Sequence, residues 1–176
     1  REREELEEVL ERSKRELERL VEEIKRALDE SRRRLEEIEK RIEEVIRRNK
    51  EEIKKLSRRV DEETVRELEK RLRDLERRSK KVLTDLKKKY EEVEREAREV
   101  IKELREKYKR LEEEARRRPV DEKLKEELKE LNRESRKVVE DLREKLDRLN
   151  KDTERVVREL EKEHRKSNEE VRKTVK

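Results

Sequence analysis

Apolar residues recur along almost the whole chain in alternating steps of three and four, and charged residues fill the intervals. The first seam reads Leu6, Leu10, Leu17, Leu20/Val21, Ile24, Leu28, Leu35, Ile38, Ile42, Val45/Ile46, Ile53, Leu56 and Val60. Ser13, Ser31 and Asn49 fall in the same phase. From Leu6 to Val60 the mean step is about 3.6 residues, the period of a straight α-helix rather than the 3.5 of a left-handed supercoil. A second seam runs from Val65 through Leu72, Ser79, Val82/Leu83, Tyr90, Ala97 and Val100/Ile101 to Tyr108 and Leu111. A third runs from Leu124 through Ser135, Val138/Val139, Leu146, Thr153, Val156/Val157, His164 and Ser167 to Val171.

Two short breaks interrupt these seams, Ser57-Arg58-Arg59-Val60-Asp61-Glu62 and Arg118-Pro119-Val120-Asp121-Glu122. Both contain Val-Asp-Glu, in which the Asp can cap the orphan amides of the following helix while the Glu suits its positive end. Val60 and Val65 have the spacing of a hydrophobic staple. Pro119 lacks an amide hydrogen and moves Arg118 away from helical geometry. The pattern predicts helices over residues 2–58, 62–117 and 122–175 of one elongated domain, 1–176. Connections this short make successive helices antiparallel neighbours. The expected fold is all-α, a straight, antiparallel, up-down-up three-helix bundle, each helix roughly 80 Å long at 1.5 Å per residue.

Composition tests that expectation. With 64% of residues charged and 27% hydrophobic, the chain could be disordered, but disorder has no reason to keep a helical period. The chain has no Gly, Cys, Met, Trp or Phe, one Pro and two Tyr. Natural domains use Gly for left-handed turns and helix ends, so its absence points to a sequence chosen for helix propensity. The net charge of +5 is small and both signs are interleaved, which describes a solvated surface rather than a directed field. No apolar run approaches a membrane span, and no targeting signal is visible. The chain reads as soluble, with its localisation unassigned.

A repeat of 18 residues, five helical turns, runs through all three seams. It relates Ser13, Ser31 and Asn49; Tyr90 and Tyr108; and Asn132, Asn150 and Asn168. The doubled positions Val82/Leu83 and Val100/Ile101, like Val138/Val139 and Val156/Val157, recur in the same way. Over its whole length the chain resembles de novo designed, parametrically built helical bundles with buried hydrogen-bond networks. Spectrin-like repeats offer the nearest natural comparison, but they have shorter helices and conspicuous core Trp.

The polar seam residues are the candidate sites. The helix register expected from the two breaks puts Ser13, Tyr108 and Asn132 in one layer and Ser31, Tyr90 and Asn150 in another. Asn49 and Asn168 would meet in a third, opposite Leu72, with His164 and Ser167 close by. Buried hydroxyls and amides need partners, so these side chains either bond across helices or lean outward to water. Glu161 and His164 have the Glu-x-x-His spacing of di-iron bundles, which need a second such pair and two further Glu. The chain has one His, and a core polar contact is the better reading. Zinc and Cys–His chemistry lack their residues, and no Gly-rich loop could hold a phosphate. The runs Arg32-Arg33-Arg34, Lys87-Lys88-Lys89 and Arg116-Arg117-Arg118 are flanked by acids and lack interleaved aromatics for stacking.

The expectation is therefore a monomeric engineered scaffold, a rigid helical rod with no catalytic site, cofactor, metal, small-molecule substrate, specific nucleic acid or membrane partner. One alternative is a helical binding module, a three-helix receptor or cage half for a partner helix, or a self-associating chain. Another is a basic rod that binds nucleic acid or anionic membrane weakly.

Overall fold

The computed structural model describes residues 1–174. It contains three helices, α1 (Glu2–Leu56), α2 (Glu62–Arg117) and α3 (Glu122–Lys173), which pack against one another as an all-α three-helix bundle. The expected end of the third helix at residue 175 lies outside the described residues. Two compact units are distinguishable. The first comprises Arg1–Glu30 with Glu91–Arg148; the second comprises Ser31–Tyr90 with the chain from Leu149 onward.

In the first unit Leu6 and Leu10 of α1 cluster with Ala115 of α2 and with Leu124 and Leu128 of α3. The start of α1 thus meets the end of α2 and the start of α3, so α2 runs antiparallel to both. The second unit shows the same order at the other helix ends. There Ile53 and Leu56 of α1 meet Val65, Leu68 and Leu72 of α2 and Val171 of α3. A further cluster joins Ile38, Ile42 and Ile46 to Leu83, Val157 and Leu160. Each large side chain buried in this way contributes about 1.5–3 kcal/mol. Ala115 is fully buried, one turn beyond Leu111, where the expected second seam ends.

The helix ends explain how the chain turns without Gly: among the described residues none has a positive φ. α1 ends at Leu56, two residues before the expected 58. The backbone tightens there, with Arg59 N–H donating to Leu56 O, and the Ser57 hydroxyl donates to Lys54 O at 2.6 Å. These bonds occupy carbonyls that helix termination would otherwise orphan. Val60 packs on the cluster holding Val65, as a staple requires. Asp121 caps α3 through its side chain, accepting from Leu124 N–H at 2.9 Å. Both aspartates also accept through the backbone, Asp61 O from Val65 N–H and Asp121 O from Lys125 N–H. The end of α2 is closed from α1, where the Arg3 guanidinium donates to the carbonyls of Ala115, Arg116 and Arg118 at 3.2–3.5 Å.

Outside the cores, ion pairs cross each helix–helix boundary. Arg136–Glu16 and Arg172–Glu52 join α1 to α3, Arg105–Glu18 and Lys87–Glu39 join α1 to α2, and Lys145–Glu96 and Arg71–Glu170 join α2 to α3. Exposed pairs of this kind are worth about 0–1 kcal/mol each.

Candidate functional site

The seams bring most of the polar candidates inward, and several of them bond from helix to helix. In the first unit Asn132 Nδ2 of α3 donates to Ser13 Oγ of α1 at 3.3 Å. Tyr108 does not join that pair, contrary to the expected layer. Its hydroxyl donates at 2.6 Å to the backbone carbonyl of Leu10. The phenol is long enough to reach past the short Ser13 side chain to the α1 backbone. A carbonyl has two lone pairs, so Leu10 can accept this bond beside its helical one. Burial first, then the charges of Glu112, Glu7 and Glu11 against that of Arg116, push the Tyr108 phenol up to about 12.

In the second unit Ser31 Oγ donates to Asn150 Oδ1 at 3.0 Å, the reverse donor sense of the Asn132–Ser13 bond. Both α1–α3 pairs have the same sequence separation of 119, as the 18-residue repeat demands. Tyr90 is buried.

The third layer departs from the repeat. Asn49 does not take Asn168 as its hydrogen-bond partner; Asn49 Nδ2 lies 3.4 Å from His164 Nδ1. His164 sits about one turn before Asn168, and its longer side chain fills the centre first. The opposite ring nitrogen, Nε2, lies 2.9 Å from Ser79 Oγ of α2. Ser79 falls on the inward seam of the sequence, which assigns it to no layer. The available signal was its position between Leu75 and Val82/Leu83 at the height of His164. Asn49, Ser79 and His164 are 2%, 0% and 0% exposed, so one residue from each helix closes a dry polar layer. Ser167 is half-buried and contributes no bond to this layer; Asn168 is half-buried, with Oδ1 inside and unpartnered, as is Glu52 Oε2. Ser135 turns its hydroxyl back to Leu131 O of its own helix at 2.8 Å.

This geometry selects one protonation state for His164. With the Asn49 amide nitrogen toward the ring, Nδ1 accepts from Asn49 and Nε2–H donates to Ser79 Oγ. That is the neutral Nε2–H tautomer. Burial pushes the imidazole below its usual 6.5; Glu163 and Glu76 pull it up, Arg78 pulls it down, and burial prevails. Nearby, burial pushes the Glu76 carboxyl up, but hydrogen bonds and charge from Lys50 and Lys80 outweigh it and leave it below 4.5.

Both His164 nitrogens are thus occupied, and neither meets solvent. Glu161, its partner in the Glu-x-x-His spacing, is held by Arg41 at 2.5 Å. Among the described residues no three His, Cys, Asp or Glu side chains converge in a metal-binding group, and no helix is long and apolar enough to cross a membrane. No family model, curated protein or solved structure matches the chain.

Proposed function

We propose that the chain is an engineered, monomeric scaffold without catalytic activity, cofactor or obligatory partner, and that its interior polar pairs act as a network that sets helix register. The observation carrying this reading is the use of its apolar surface. The seam residues are consumed in the cores of the two units, and among the described residues Val9, at 37% exposure, is the one exposed large hydrophobic side chain. Stable association needs a contiguous apolar patch. The 18-residue recurrence in all three seams and the Gly-free turns support an engineered origin.

Mass by light scattering, together with helicity by circular dichroism during heating, tests the proposal. A single-chain mass at micromolar concentration and helicity that persists well beyond about 60 °C, the ordinary mesophile range, are expected. A mass of two or three chains would replace the scaffold with a self-associating or partner-binding module. A broad melt below that temperature would mean that the seams do not close as proposed. Retention of a particular oligonucleotide at physiological salt would favour the basic-rod reading, since non-specific binding should be steeply salt-dependent.

A further inference from the structure

His164 is the one histidine of the chain, and the scaffold reading gives it no role that Gln or Asn could not fill. We propose that the Asn49–His164–Ser79 layer is a proton-operated latch, closed while the imidazole is neutral and weakened when it takes a proton, with its effect confined to the second unit.

The argument starts from donors and acceptors. A protonated imidazole is a donor at both nitrogens. Nδ1–H⁺ would then face the Asn49 amide nitrogen, itself a donor, 3.4 Å away. Turning the Asn49 amide end for end would restore one bond but would leave the positive charge in a layer sealed from water. Burying a charge without a counter-charge is far more costly than burying a paired dipole. The surroundings supply that counter-charge only in part, and burial outweighs it. From α2, Glu76 and Arg78 face the ring, but Glu76 is held by Lys50 of α1 and by Lys80, and Arg78 adds repulsion. From α3, Glu163 attracts, but it is already paired with Arg78. From α1 the ring meets Asn49, which is neutral; Lys50, next in the chain, turns its ammonium to Glu76.

The first unit is built differently. Its interior bonds are Asn132 to Ser13, Tyr108 to Leu10 and Ser135 to Leu131, and none of these groups takes up a proton between about pH 5 and 8. An opened second unit exposes an imidazole with the ordinary affinity, near 6.5; the closed one holds its proton less tightly. Opening therefore takes up to one proton. The layer's contribution is complete above about pH 6.5 and is lost as the pH falls through that value towards the lower midpoint of the closed state. The opening equilibrium should rise by up to about tenfold per pH unit over that window.

Amide hydrogen exchange on the full chain between about pH 7.5 and 5.5, corrected for the intrinsic rate, reads this directly, with imidazole NMR reporting the His164 midpoint. Exchange should accelerate at the second unit's slow amides and stay level in the first. His164→Gln keeps an acceptor and a donor but no titration, and should abolish the pH response. Asn49→Asp places a carboxylate before Nδ1 and should raise the His164 midpoint. A wild-type midpoint at or above about 6.5 would overturn the proposal even if neither variant folds. So would acceleration spread equally over both units, or an unchanged pH response in His164→Gln.

Discussion

The hydroxyl of Tyr108 and the Asn132–Ser13 pair belong to neighbouring layers of the first unit yet share no hydrogen-bond partner, and this separation can be tested by double-mutant cycles. Tyr108→Phe deletes one bond, the 2.6 Å donation to Leu10 O, and leaves the ring packing unchanged. The orphaned carbonyl retains its helical amide, so the cost should be about 1 kcal/mol, roughly a fivefold shift in the unfolding equilibrium. Ser13→Ala removes the acceptor of Asn132 Nδ2. Asn132 is only half-buried, so its amide can turn to water and the loss should be about 0.5–1 kcal/mol. Urea melts of the single and double variants then separate two patterns. Ser13→Ala with Asn132→Ala should be coupled by about 0.5 kcal/mol or more, because each removes the same bond. Tyr108→Phe with Ser13→Ala should add to within about 0.3–0.5 kcal/mol. Equal coupling in both cycles would mean that Tyr108 bonds into the Ser–Asn pair. A Tyr108→Phe protein as stable as the wild type would mean that its hydroxyl exchanges freely with water.

Three further outcomes are expected. Ile42→Ala, at a side chain 1% exposed in the core of the second unit, should cost about 2–5 kcal/mol in a denaturant melt, whereas Val9→Ser at the exposed position should stay within about 0.5 kcal/mol. Asn168→Ala removes a buried oxygen that has no partner and should leave the melting midpoint level or raised, in contrast to Asn132→Ala; a loss above about 1 kcal/mol would show that the amide is satisfied in solution. At alkaline pH the Tyr108 phenol, raised to about 12 when folded, remains neutral where an unfolded phenol has ionised. Stability should therefore fall as the pH rises through about 10. An ultraviolet titration in which Tyr108 ionises near 10 would contradict this.

Helix content, helix number and most of the core were legible from the chain because they rest on local rules. A 3.6-residue apolar period commits one stripe of each helix to burial, and Leu6, Ile24, Ile42, Leu124 and Val171 are buried where that stripe puts them. The short Val-Asp-Glu breaks leave little freedom except reversal of direction, and α2 and α3 begin at Glu62 and Glu122 as the Asp-Glu signals indicate. The 18-residue repeat also carried the Ser13–Asn132 and Ser31–Asn150 pairings, since helices sharing one repeat keep one register across both pairs.

The tertiary structure alone decided the partners of the long polar side chains. A seam position states that a side chain points inward, but its reach sets which atom it meets. Tyr108 passes Ser13 to reach the Leu10 backbone, and His164 takes Asn49 and Ser79 before Asn168 can. The division of the packing into two units was likewise invisible, because it falls within the helices, where the apolar pattern continues. Periodicity is a property of one helix, whereas hydrogen-bond partnership depends on distances among three. Those distances follow from side-chain length and helix separation, neither of which is written in the spacing of apolar residues.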